Sequence, residues 1–207
     1  VKSIDKDKKI ISQPAGASSA AEDHRFYFFN LIDEIDCPGE SYIDRNNKIV
    51  YFYPTADMET ADVWVSSLQD DLITLSGASN LNFENLKFGY SRGNALTGEN
   101  ITFDGLTIFN MSGSGVLIDG SGQTNNNIFR NSHVYNMGYK GVELGGGSWA
   151  PYTKSGNIIE NNRIHACGRI YRSYSPAIGG VGMDGEIRNN KLYDSDHMLV
   201  NMGTGTQ

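Results

Sequence analysis

Apolar and polar positions in the second half of the chain follow a six-residue phrase that occurs five times. The copies are Phe83-Glu-Asn-Leu-Lys-Phe88, Phe103-Asp-Gly-Leu-Thr-Ile108, Phe129-Arg-Asn-Ser-His-Val134, Ile159-Glu-Asn-Asn-Arg-Ile164 and Ile187-Arg-Asn-Asn-Lys-Leu192. Successive copies begin 20, 26, 30 and 28 residues apart. A period of that size is the mark of a stacked repeat. The first and sixth residues are always apolar, while the second and fifth are mostly polar or charged. That alternation predicts short strands with one buried face. The third residue is Asn85, Asn131, Asn161 and Asn189, with Gly105 as the exception. Asn and Gly tolerate the left-handed backbone of a sharp bend, and equivalent Asn amides are expected to bond to one another along the stack.

A second apolar run follows most copies: Val116-Leu-Ile118, Val142-Glu-Leu144, Ala177-Ile178 and Met198-Leu-Val200. Gly115 and Gly141 precede the first two. Each repeat is therefore expected to run strand, Asn bend, strand, Gly turn, strand. An α/β solenoid would need a helix-competent segment in every repeat, and residues 155–168 and 182–196 contain none. The predicted fold is all-β, a right-handed parallel β-helix over residues 71–207. The hand follows from the chirality of parallel crossovers.

Residues 1–70 lack the phrase and predict an elaboration packed on the N-terminal side of the solenoid. Residues 1–4 read as the middle of a strand followed by a turn over 5–9, and residues 24–29 are aromatic and strand-like. Residues 30–36 predict a short helix with Asn30 as its N-cap, ended by Pro38 and Gly39. Residues 41–44 and 48–53 predict a hairpin around Arg45, Asn46 and Asn47.

Charge narrows the partners. Twenty-four acidic residues against 17 basic ones give a net charge of −7, with no basic stripe suited to phosphates. A nucleic-acid partner is not expected, and no apolar stretch reaches the length of a membrane span. Two cysteines are too few for a disulfide framework. Cys167 shares a repeat position with Met111 and Met137, so a core role is expected for it. No cofactor or metal set is expected. The four histidines lack ligand spacing, and nothing in the sequence supports a calcium ion between coils. His133 and His165 fall one place apart in the repeat frame and predict a loose surface ladder.

Two longer stretches carry a resemblance. Residues 30–44, Asn-Leu-Ile-Asp-Glu-Ile-Asp-Cys-Pro-Gly-Glu-Ser-Tyr-Ile-Asp, and then Val50-Tyr-Phe-Tyr-Pro54, resemble the leading segment of large secreted right-handed β-helix proteins. So do residues 165–177 and 189–197. Together they resemble β-helix glycoside hydrolases of the family 141 type. The resemblance spans about residues 25 to 200 and implies an extracellular or periplasmic protein acting on plant or algal polysaccharide. That group's acids are expected in motifs such as Asp-x-Gly-Ala-Ile-Tyr and Leu-Asp-Asp, and neither occurs here. The expectation is therefore an internal piece of a larger enzyme, inactive by itself, whose open solenoid ends favour self-association.

Glycoside hydrolysis needs two carboxyl groups. Asp194 and Asp196, beside His197, are the best local pair, although Asp194 also fits a bend column with Asn110 and Asn136. Arg169, Tyr171, Arg172 and Tyr174 cluster in one insertion, and Trp149 and Tyr152 in the preceding one. Aromatic faces and arginine forks suit sugar recognition; the same side chains could equally cover the side of the solenoid. A polysaccharide lyase or epimerase, using Arg169 or Arg172 against an acidic sugar, and a non-catalytic adhesin are the alternatives.

Overall fold

The computed structural model of the chain describes residues 3–12, 29–75, 78–94, 100–118 and 124–202, and the backbone of 96–97. They fall into two compact units, Val1–Asp62 and Val63–Gln207.

In the first unit, Ser3–Asp5 pairs antiparallel with Ile10–Ser12, and Ser41–Asp44 pairs with Ile49–Phe52. The second pair is the predicted hairpin. Its turn is held by Asp44, whose carboxylate accepts from the amides of Asn46 and Asn47 at 3.0 Å each. The predicted short helix is only a 3-10 turn at Ile32–Glu34. Asn30 is not its cap. Leu31 holds that place without a side-chain bond, while the Asn30 amide accepts from Ile43 N at 2.7 Å and donates to Ile43 O at 3.2 Å. An amide side chain can mimic a strand edge in this way, which competes with capping. The predicted strand at 24–29 lies, except for Phe29, outside the described residues.

The second unit is a parallel solenoid of three five-stranded sheets. Sheet I comprises Leu81–Glu84, Ile101–Asp104, Ile128–Arg130, Ile158–Glu160 and Glu186–Arg188. Sheet II comprises Lys87–Gly89, Thr107–Met111, His133–Met137, Arg163–Cys167 and Lys191–Ser195. Sheet III comprises Ile73–Thr74, Leu96–Thr97, Val116–Ile118, Val142–Leu144 and Ile178–Gly180. The phrase thus supplies one strand to sheet I, a bend, and one strand to sheet II. Its first residues align as Phe83, Phe103, Phe129, Ile159 and Ile187. Its sixth residues align as Phe88, Ile108, Val134, Ile164 and Leu192. The three central members of both columns are fully buried. With Val116, Val142 and Ile178 of sheet III they form the core. Among the described residues, every buried apolar side chain lies between Ile101 and Met183.

The third phrase position is left-handed in all five copies, with φ between 53° and 66°. The expected amide ladder, however, forms one residue later. Asn162 Oδ1 accepts from Ser132 N at 2.9 Å, and Asn190 Oδ1 accepts from Asn162 N at 3.0 Å. The left-handed residue turns the corner and stays at the surface, so the next side chain is the one that points inward. A second buried ladder holds another corner: Asn127 accepts from Ile101 N and Asn157 from Asn127 N, both at 2.9 Å. Gly115 and Gly141 are required by close approach. A Cβ there would lie 2.7 Å from Gly141 O and 2.3 Å from Ala177 O of the following coil.

The three corners differ in length. Exactly the same two-residue bend joins sheet I to sheet II in every coil. The corner from sheet II to sheet III spans 112–115 and 138–141 in two coils but 168–177 in the next.

Candidate functional site

Outside the core, the phrase builds columns of exposed side chains. Its fifth position aligns Lys87, Thr107, His133, Arg163 and Lys191 along sheet II. The seventh residue of each repeat aligns Gly89, Phe109, Tyr135, His165 and Tyr193 on the same face. These rings stack coil upon coil. Phe109 lies 5.7 Å from Tyr135, Tyr135 lies 5.6 Å from His165, and His165 lies 4.5 Å from Tyr193, all within 16° of parallel. Tyr90 meets Phe109 edge-on at 5.1 Å, and Trp64 stacks on Tyr90 at 5.1 Å.

A tight polar cluster sits within this face. Arg163 turns toward the following coil, where its Nε donates to Tyr193 Oη at 2.7 Å and its guanidinium lies over the Tyr193 ring. That leaves His133 to reach diagonally to His165, with the two Nε2 atoms 2.9 Å apart. The histidines are two places apart in the repeat frame, not one, which puts both on the outward face. Partial burial lowers the pKa of each. The neighbouring imidazole and then Arg163 add to this for His133; Arg163 adds to it for His165, with Asp194 opposing.

At the eighth position the chain bends again, and here Tyr90, Asn110, Asn136, Ala166 and Asp194 are all left-handed. Asn136 donates to Asn110 across adjacent coils at 3.1 Å. Beside this column lies a shallow, open cleft of about 340 Å³ lined by Asn110, Met111, Ser112, Asn136, Gly138, Arg169 and Ile170. The 168–177 insertion makes its wall by folding back over the preceding coil. Arg169 N donates to Met137 O, and Ile170 N and Tyr171 N both donate to Gly138 O. The Arg169 side chain has no hydrogen-bond or ion-pair partner among the described residues.

The residues singled out from sequence divide into two groups. Arg169, Tyr171, Arg172, Tyr174, Asp194, Asp196 and His197 converge at the corner between sheets II and III. Arg172 pairs with Asp196 at 3.4 Å, the Tyr174 and His197 rings are 5.4 Å apart, and Tyr171 meets Tyr139 edge-on at 5.6 Å. Asp194 occupies the bend column, and both aspartates are exposed on either side of Ser195. Trp149 and Tyr152 stand elsewhere, facing each other across a two-residue ribbon between sheets III and I. Tyr152 donates its hydroxyl to Asp184, which also pairs with Lys154 at 3.6 Å. The hydrogen bond to Asp184 raises the Tyr152 pKa. The two cysteines are free, Cys37 exposed and Cys167 buried, with burial pushing the Cys167 thiol up to about 12.

The aromatic and cationic columns were the part missed by residue-level reasoning. The signal was available: extending the phrase from six residues to seven, and reading its fifth place as a column, finds both.

The family model described as "right handed beta helix region" matches residues 40–206. No curated protein gives a significant match, and neither does any solved structure. The phrase, its three-sheet register and this match agree, and the chain belongs to the right-handed β-helix family.

Proposed function

We propose that the chain is part of a secreted, polysaccharide-active β-helix protein that holds a glycan along the outward face of sheet II, beside the 168–177 wall. One observation carries this reading: the aromatic and cationic columns stand in register along the solenoid axis and run next to the cleft. Coils repeat at the strand spacing of about 4.8 Å, close to the length of one sugar unit, so a polymer parallel to the axis meets equivalent groups at each step. Aromatic edges, the Asn110 and Asn136 amides and the Arg169 guanidinium supply the apolar and hydrogen-bonding contacts that sugars use.

Hydrolysis is the reaction we propose for the full-length protein, with Asp194 and Asp196 as the exposed carboxylates nearest the wall. Their settings are a bend and an ion pair with Arg172. This chain is expected to bind plant or algal polysaccharide while turning over fucosides and xylan poorly or not at all. Binding on a glycan panel should weaken at least about tenfold in Arg169→Ala or Tyr193→Ala, the loss of about 1.4 kcal/mol, and change little in Trp149→Ala. Binding lost through Trp149 alone would move the site to the other corner. Turnover that disappears in Asp194→Asn would assign hydrolysis to this chain.

The cations Lys87, Arg163 and Lys191 of the fifth-position column favour a second reading, elimination on an acidic glycan. Formation of an unsaturated sugar product from a uronate polymer would support it over hydrolysis.

A further inference from the structure

The eighth-position column is interrupted, unlike the rings beside it. At its first coil the Tyr90 ring is stacked on Trp64 and meets Phe109 edge-on. Three coils further on, Ala166 is 5% exposed, and its methyl offers no hydrogen bond. Asn110 and Asn136 stand between these two, and the cleft of about 340 Å³ is lined by both. Successive coils are about 4.8 Å apart, so the two amides mark out a length of about one sugar unit. A polymer cannot run along that column. The seventh-position rings, by contrast, continue unbroken from Phe109 to Tyr193. We infer that the cleft is a subsite for a single side-branch sugar, and that the ligand is a substituted polysaccharide whose backbone lies along sheet II with one branch unit turned into the cleft. The subsite rests on the glycan reading above and names the class of polymer that the face selects.

The cleft is built before any ligand arrives. Its floor is kept bare at Gly138, where a Cβ would come within 2.2 Å of Ser112 O and 2.9 Å of Ile170 Cδ1. Its wall is pinned from both sides. Ile170 N and Tyr171 N donate to Gly138 O at 3.0 and 2.8 Å. The fully buried Ser175 hydroxyl lies 3.2 Å from Ser173 O and also donates to Tyr171 O. A wall held in this way loses little freedom on binding, which favours affinity.

Its chemistry suits one sugar ring. The Asn136 amide donates to Asn110 Oδ1, which leaves Asn136 Oδ1 to accept and Asn110 Nδ2 to donate. The Arg169 guanidinium, without a partner among the described residues, can fork to two neighbouring oxygens of the branch. Ile170, 53% exposed, offers an apolar edge to the C–H face of the ring. Donors, an acceptor and an apolar contact thus meet within the length of one unit. The backbone of the polymer gains none of these and depends on the stacked face of sheet II.

The experiment is calorimetric titration of the whole chain with two matched pairs of polymers: arabinoxylan and the linear xylan left after its arabinose units are removed, and galactomannan and linear mannan. The expected result is that, in at least one pair, the substituted polymer binds at least about tenfold more tightly, the scale of one charge-assisted hydrogen bond. Arg169→Ala should bring the substituted polymer down to the affinity of its linear partner and leave that partner unchanged. Tyr193→Ala should weaken both. Circular dichroism of each variant confirms that the solenoid is folded. Equal affinity within both pairs, or an Arg169→Ala loss shared by linear and substituted polymers, would overturn the branch subsite while leaving the glycan reading in place. A gain in affinity when the linear polymer is cut into short pieces would give the cleft to chain ends and also overturn it. Binding of none of the four polymers would remove the glycan reading and the subsite with it.

Discussion

Ala166 is the residue that fits its place least well. It occupies the eighth-position bend column with φ 54° and is nearly buried, whereas two other members of that column are asparagines and one is an aspartate. Asparagine and aspartate visit the left-handed region at low cost, and glycine at none; alanine does so at about 1–2 kcal/mol. Replacing Ala166 by Gly removes that strain and returns part of the gain as unfolded-state entropy. Ala166→Gly is expected to stabilise the chain by about 0.5–1 kcal/mol, seen as a higher urea midpoint with an unchanged slope. The bend at Asp194 was legible because aspartate is a turn residue. The equivalent bend at Ala166 was not, because alanine carries no turn signal and only the repeat register reveals it. Cys167, next to it, shows the opposite case: its column with Met111 and Met137 identified it as a core residue, and burial at 0% exposure makes its thiol inert.

The stability of a coil depends on how its corners satisfy backbone groups withdrawn from water. At the corner between sheets I and II, Asn162 takes the Ser132 N–H and donates to Phe129 O at 3.0 Å. Asn162→Ala would leave the buried Ser132 N–H without its partner. At about 1–3 kcal/mol for such a group, the expected loss is about 1–3 kcal/mol, read from chemical denaturation. Asn161→Ala removes an exposed side chain but forces alanine into a left-handed bend, and should cost about 1–2 kcal/mol. Sequence identified the strands flanking this corner to within a residue or two, because apolar alternation reports directly on burial. It assigned the ladder to the wrong member of the Asn-Asn pairs, since composition does not say which of two adjacent amides turns inward. Backbone handedness decides that. The exposed second-position column, in which Arg130 pairs with Asp104 at 2.8 Å and Arg188 with Glu160 at 2.7 Å, adds only about 0–1 kcal/mol per pair.

At the scale of the whole molecule, protons connect the surface columns to stability. The folded state lowers the pKa of His133 and His165 below 6.5, so the unfolded chain binds more protons once the pH drops toward and below that value. Their contribution is complete above pH 6.5 and is lost as the pH falls through the depressed folded values. Asp104, lowered below 3.8 by hydrogen bonds from Asn131 and Arg130, gives a second loss that starts below about pH 4. Thermal midpoints measured against pH should fall in two stages, and His133→Gln should flatten the upper stage while leaving the lower one. The solenoid itself was legible in the sequence because five copies of one phrase impose the same pairing again and again. The stacked outer face of sheet II was less so, since its members are dispersed at intervals of about one coil and converge only after stacking. A final consequence follows from the unequal corners. An added residue in the two-residue bend would exchange inward and outward side chains for the strand that follows, whereas the corner beside sheet III already accepts an insertion at 168–177, which the sheet absorbs as a local register shift, Val142 facing Ile178 and Glu143 facing Gly180. Descendants of such a chain can therefore diverge by gain and loss of residues along two edges while the third stays fixed in length, and new recognition loops should arise along those edges.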